Sequence, residues 1–454
     1  MLKSATHRGR RARRRLALET IAGTLALLTI VLATAAGAGA LPLRGSATVS
    51  GWSKQDPGTQ KGLSDASFVD ARHGWAVGIG GTVIATSDGG ATWHAQDAST
   101  TYDLGGVDFV DLTHGWAVGL QTTENDEGTW DHDGMILATT DGGATWHKQF
   151  SRAEALVASV DFSDLSHGWA VGGKGTILAT SDGGATWVTQ DSSTKEALWD
   201  VVFPDSTHGW AVGDGPTILA TSDGGATWTR QAMGAGAKFF TGVDFIDSSH
   251  GWAAGWSDTP RAGVIMATSD GGATWRQQTS GTTSGLGPVD FVDASHGWVA
   301  GAWGVILATS DGGATWREQR PGDRSDGVEG YVAVAFTDTT HGWAVGNDGA
   351  LHGVILATTT GGQPPKPSGP PKIVKIKPPS AKRSASVTIS GLNFGDAQGT
   401  STVRFGSKKV TVVTSWSGTS ITCQVPAGAK YGRVKVTVTT AAGKSNGKSF
   451  KVLR

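Results

Sequence analysis

The chain has 454 residues, 38 of them basic and 39 acidic, with glycine at 68 positions and a single cysteine, Cys423. One cysteine excludes an intrachain disulfide framework, and glycine at about twice its usual ~7 % share, recurring at fixed offsets, excludes low complexity in favour of many tight turns. The net charge of −1 hides a segregation: residues 372–454 carry 15 basic side chains and one acid, Asp396, while residues 45–371 carry 15 basic against 37 acidic.

At the N terminus, residues 8–15 (RGRRARRR) hold six arginines, and residues 20–41 form an uncharged stretch that ends in Ala and Gly. This pattern predicts export, with the arginines retained inside. Residues 1–41 are then a signal peptide, cut at an Ala-x-Ala site after Ala35, Ala38 or Ala40, or a membrane anchor, because about 20 apolar residues cross a bilayer. The expected location is secreted or cell-surface.

Next come the repeats. "HGW" starts at 73, 114, 167, 208, 250, 296 and 341; "SDGGATW" starts at 87, 181, 222, 269 and 310, with "TDGGATW" at 140. A whole unit, read from residue 159, contains the β-type runs SVDFSD, HGWAVG, GTILATS and ATWVTQ. Four short strands in a unit of about 40 residues are the mark of a propeller blade. The seventh unit ends in GVILATTTGGQ without an ATW strand, whereas GWSKQ at 51–55 stands before the first unit and matches TWHKQ at 145–149. The expected fold of residues 51–362 is therefore an all-β, seven-bladed propeller whose N-terminal strand closes the last blade, with Trp52 in the position of Trp93.

Asp88, Asp141, Asp182, Asp223, Asp270 and Asp311 fall in the turn between third and fourth strands, before two glycines able to take φ > 0. There they can accept backbone N–H groups and fix the turn, while the terminal Trp packs between blades. Chemistry needs one site, so presence in every blade assigns these residues, and the seven histidines of HGW, to structure. Glu124, Asp126, Glu127, Asp131 and Asp133 in the second unit lack the spacing of an EF-hand and read as a solvated loop. No catalytic residue, metal site or cofactor is expected.

Binding is expected where the repeats vary. The connection between second and third strands is long in units two (120–134) and five (256–263), on the face opposite the acidic turns. Tyr102, Trp130, Trp199, Trp256, Trp303 and Tyr331 lie outside the repeat pattern and map to that face. They suit anchoring a protein partner or stacking on a sugar ring, or they cover the blade tops.

The heptapeptide fits the Asp-box, or bacterial neuraminidase, repeat of Ser/Thr-x-Asp-x-Gly-x-x-Trp. The longer unit HGWAVG…GTILATSDGGATW resembles the propeller repeats of the photosystem II assembly and stability factors. That resemblance implies a non-catalytic binding or assembly scaffold. Asp-box propellers also include sialidases and xyloglucanases, so the alternative is a secreted glycan-active hydrolase. The Phe/Tyr-Arg-Ile-Pro motif of sialidases does not occur here.

A proline-rich linker, 363–371, precedes residues 372–454, which read as six or seven short strands of a β-sandwich. VTISGLNFG at 387–395, VRFGSKKV at 403–410 and SITCQVP at 420–426 resemble the immunoglobulin-like IPT/TIG domain. Its basic surplus suggests an anionic polymer or membrane surface as partner.

Overall fold

The computed structural model describes residues 51–124, 130–153, 155–232, 239–258, 261–320, 327–363, 370–395, 398–440 and 442–454. The N-terminal segment 1–41 and residues 125–129 of the acidic stretch lie outside them, while on either side of those five the strands Gly115–Glu124 and Trp130–Thr139 pair, so Asp131 and Asp133, expected in a loop, stand in a strand. The chain divides between Gly362 and Gln363 into two compact units.

The first unit consists of seven four-stranded antiparallel sheets. Six are built from consecutive strands, as in Ser159–Phe162, Gly168–Gly172, Thr176–Thr180 and Val188–Gln190 of blade 3. In the seventh, Gly51–Gln55 pairs antiparallel with Gly353–Gly362, so the first strand of the chain completes the last blade. The N-terminal strand and the acidic turns thus take the places that the repeat dictates.

Each blade is buried on both faces by its neighbours, which is why its second strand reads as an unbroken apolar run rather than an alternating one. GWAVG in blades 1, 3 and 4 is buried at all five positions. Seven hydrophobic clusters each join two adjacent blades, and the cluster of Trp343, Val345 and Ile355 with Leu63, Ala76 and Ile84 closes the ring. At every seam the HGW tryptophan of one blade stacks on the phenylalanine that ends the first strand of the next. Trp75 on Phe109, Trp210 on Phe245 and Trp343 on Phe68 lie 3.5–3.6 Å apart, within 7° of parallel. The box tryptophan of the second blade meets the same ring edge-on, as Trp275 does Phe245 at 5.9 Å. HGW requires glycine because the ring crosses its backbone: a Cβ at Gly74 would fall 2.3 Å from Phe68.

The acidic turn latches these seams. Asp88 Oδ1 accepts from the Thr92 amide and the Thr86 hydroxyl, and Oδ2 from the Thr92 hydroxyl. Those bonds, the Thr92 hydroxyl foremost, hold the carboxyl down to about 2. The turn then presents a glycine carbonyl to the preceding blade: Gly142 O accepts from Trp75 Nε1 at 2.9 Å and from Gln96 Nε2 at 3.0 Å. The second glycine is needed for its φ of +83° at Gly90, where a Cβ would also meet Gln55 Oε1 at 2.1 Å. On the same end, each HGW histidine places Nδ1 against an aspartate three residues earlier, as His73 does against Asp70 at 2.9 Å.

The second unit is a sandwich of two sheets built from ten strands, of four and six strands respectively. Ile389, Phe394, Phe405, Ile421, Val436 and Phe450 lie in its core. Cys423 is buried there, its thiol pushed up to about 12 by desolvation, so it is packing rather than chemistry.

Candidate functional site

The innermost strand of each blade faces the axis of the ring and is a sheet edge, so its outward N–H groups need partners from elsewhere. Side chains of the preceding blade supply them. Asp65 Oδ2 accepts from the Val107 amide at 2.9 Å, Asp108 from Phe162 at 2.9 Å, Asp161 from Phe203 at 2.7 Å, Asp200 from Val243 at 2.9 Å and Asp244 from Phe291 at 2.7 Å. Asp290 takes the Phe336 amide in the same way. Blade 7 has alanine where most blades have this acid, and the last join is made by an amide: Asn347 Oδ1 accepts from Leu63 N at 2.9 Å while its Nδ2 donates to Leu63 O at 3.1 Å.

All six aspartates are half-buried, and Asp65 and Asp200 border a cavity. Burial therefore raises them, Asp65 and Asp244 to about 7 and Asp108 and Asp200 to about 6, against the lowering effect of the amides they hold. Burial, reinforced by neighbouring acids, drives Asp161 and Asp290 well above the usual range as well.

The channel widens into a cavity of about 180 Å³. Its lining comes from the innermost strands of all seven blades, around their loop-fed halves, so it opens toward the variable connections. Asp65 and Asp200, from blades nearly opposite each other, face it together with Trp199, Ser159, Thr241 and Asn347. The indole of Trp199 is fixed by its Nε1, which donates to Asp214 Oδ1 at 2.7 Å. Burial raises Asp214 and this bond opposes the rise. Asp200 also accepts from Ser159 Oγ at 2.9 Å and Val201 N at 3.0 Å, so it is held from three sides. Among the described residues, no group of three His, Cys, Asp or Glu side chains is placed to hold a metal ion.

Of the aromatics singled out from the sequence, Trp199 lines the cavity. Tyr102 is half-buried against the Trp75–Phe109 seam. Trp256 stacks on its cross-strand partner Phe239 at 4.7 Å, and the Trp303 amide donates to Glu329 O at 2.7 Å in a tight turn. The side chain of Trp130 lies outside the described residues. Tyr331 corrects the expectation of a solvent-edge aromatic: it is 1 % exposed, and its hydroxyl accepts from Arg320 Nη1 at 2.6 Å. Strand register buries it, and no spacing in the sequence reports that.

The channel acids were the missed feature. Four of the six, Asp108, Asp161, Asp244 and Asp290, carried a signal in VDF at 107–109, 160–162, 243–245 and 289–291, an aspartate inside an otherwise apolar strand; Asp65 and Asp200 stand outside that triplet.

Seven latched blades around an acid-lined channel, with a separate immunoglobulin-like sandwich, define an Asp-box β-propeller protein. More particularly, the chain belongs to the family described as photosynthesis system II assembly factor YCF48, whose model matches residues 45–149, 144–197, 187–279 and 278–366. The IPT/TIG domain model matches residues 371–452. Among solved structures, YCF48 bound to D1 peptide is similar at 22 % identity and a TM-score of 0.54, over 68 % of this chain and 97 % of that one. YCF48 from Cyanidioschyzon merolae is similar at 23 % identity and 0.52, over 68 % and 98 %. The GH74 xyloglucanase from Xanthomonas campestris reaches 14 % and 0.53, over 87 % and 74 %. These likenesses establish the fold. No curated protein matches the chain.

Proposed function

We propose that the chain is an exported, non-catalytic binding module whose propeller holds a partner protein at the loop-fed end of its axial channel. The observation that carries this reading is the commitment of the channel carboxylates: each accepts the backbone N–H of the next blade, which is the work of a strut and not of a group that must exchange protons. The cavity beside Asp65 and Asp200 suits the cationic tip of a lysine or arginine side chain, since both carboxylates retain acceptor capacity beyond the bonds they make. Membership of the YCF48 family supports a scaffold role, and one similar structure is a propeller bound to a peptide. Export rests on the arginine-rich, apolar N terminus.

The test is selection of a displayed random peptide library on the full chain and on its Trp199→Ala variant, with thermal unfolding run on both. Enrichment of sequences bearing Lys or Arg on the native chain alone supports the reading. Equal enrichment on both proteins, or none, sinks it.

A glycan-active hydrolase is the second reading, favoured by one observation: Asp65, raised to about 7, has the proton affinity of a general acid. Incubation with xyloglucan decides it, since release of reducing ends that is lost in Asp65→Asn would replace the first reading by the second.

A further inference from the structure

We propose that the C-terminal sandwich carries a binding stripe for a linear phosphodiester polyanion on the outer face of its larger sheet. Five strands of that sheet lie side by side in the order Ser380–Lys382, Lys448–Leu453, Gly432–Thr440, Thr402–Phe405 and Lys408–Lys409. Ala381, Phe450, Val452, Val436, Val438, Val403 and Phe405 point into the core. Alternation along each strand therefore turns the intervening residues outward.

The register then sets six cations along one diagonal. Lys451 pairs with Ser380, two positions from Lys382. Lys451 is also directly opposite Arg433 on the next strand, and Lys435 follows two residues on. Arg404 is opposite Thr437, hence diagonal to Lys435, and directly opposite Lys409. All six are exposed. Steps between opposite or diagonal neighbours are about 5–8 Å. With strands about 4.8 Å apart and a rise of about 3.4 Å per residue, the stripe runs roughly 25–30 Å.

Several observations make this a site rather than solvated charge. Arg433 and Lys451 face each other directly, a like-charge pairing that costs stability in a sheet. Asp396 is the one acid in residues 372–454 to offset fifteen basic side chains. The cations are also concentrated: the two central strands of the smaller sheet turn Ser386, Thr388 and Ser390, and Ser420, Thr422 and Gln424, outward. The form of the patch selects the partner. A diagonal line matches a chain of charges, whereas a membrane is met by a broad field. Ser380, Ser449, Leu453, Thr437, Thr439 and Thr402 are the other outward positions of these five strands, and Tyr431, exposed two residues before Arg433, has its ring covered by the Arg383 guanidinium at 3.7 Å, so recognition is of backbone phosphate rather than of bases or sugar rings.

The test is binding of the full chain to a fluorescent oligothymidine of about 20 nucleotides over a range of salt, beside vesicles of phosphatidylcholine and phosphatidylserine. Six contacts predict a slope of log K against log salt near −4, from about −0.7 per contact on a single strand. The variant Arg404→Gln/Arg433→Gln/Lys435→Gln should bind at least about tenfold more weakly, with a slope shallower by about 2. Lys372→Gln/Lys375→Gln/Lys377→Gln, the same charge change on the edge strand Lys372–Lys377 of the smaller sheet, should stay within about threefold. Equal losses in both variants, binding to vesicles alone, or no binding at all would overturn the proposal. Thermal unfolding checks both variants; should the stripe variant fail to fold, Lys451→Gln and the salt slope of the native chain decide, a slope shallower than about −2 counting against it.

Discussion

Phe245 shows what a single residue does in this ring. Its face lies on Trp210 at 3.5 Å and its ring meets Trp275 at 5.9 Å and 85°, so one side chain ties two blades. Phe245→Ala should cost about 3–5 kcal/mol, read as a lower guanidinium midpoint at unchanged slope, because the cavity it leaves is walled by two rigid indoles. The channel acids make a second prediction at this scale. Their folded pKa values stand above the unfolded 3.8, near 6 for Asp108 and Asp200 and near 7 for Asp65 and Asp244. Their contribution is fully present below about pH 4 and is lost as pH rises through 6 and 7. The box aspartates act in the opposite sense: Asp88, Asp141, Asp223 and Asp270, held near 2 by threonine hydroxyls and amides, contribute above pH 4 and lose it as pH falls toward 2. The melting temperature should therefore be higher at pH 5 than at pH 8. Asp244→Asn, which keeps an acceptor oxygen for Phe291 N, should reduce that difference; a flat or rising profile between the two pH values would contradict the assignment.

At the scale of the element, the strand Gly51–Gln55 matters most for its size. It supplies the outer strand of blade 7, and the Trp52 ring meets Phe336 edge-on at 5.7 Å. Deleting residues 51–55 should lower the melting temperature by more than any single blade-surface substitution and broaden the size-exclusion profile, since it exposes the edge of Gly353–Gly362. This element was legible from sequence because GWSKQ matches a strand that the last unit lacks. Tyr331, Asp65 and Asp200 were not, for one physical reason: which way a side chain points depends on register, and the first strands contain irregularities, such as those between Tyr331 and Ala333, Leu63 and Asp65 or Leu198 and Asp200, that shift the alternation without a mark in the chain. The diagonal of cations was hidden likewise, because it spans five strands brought together only by pairing.

For the whole molecule, charge and core are partitioned alike. The sandwich has one hydrophobic cluster of its own, and the other seven clusters belong to propeller seams. Calorimetry should resolve two unfolding transitions, the smaller assigned to residues 372–454, and a single transition matching the whole chain would refute independence of the cores. The two modules were distinguishable in the sequence because the repeats stop and the composition changes at the proline-rich linker.

The sameness of the joints has a further meaning. A phenylalanine between two tryptophans recurs at all seven, and six are sewn by a carboxylate on an amide, four times on the phenylalanine's own amide and, at Asp65 and Asp200, on the one two residues earlier, so the aromatic surface any blade presents to its successor is the one every other blade presents. Such joints cannot count. The ring's end is marked by the strand Gly51–Gln55 inside the last blade and by Asn347, which reaches the first residue of the opening blade across 284 positions of chain. A gene that gained or lost one unit would still encode matched surfaces throughout, and ring size here is a property of how many copies lie between the two halves of the last blade, open to change by a single recombination.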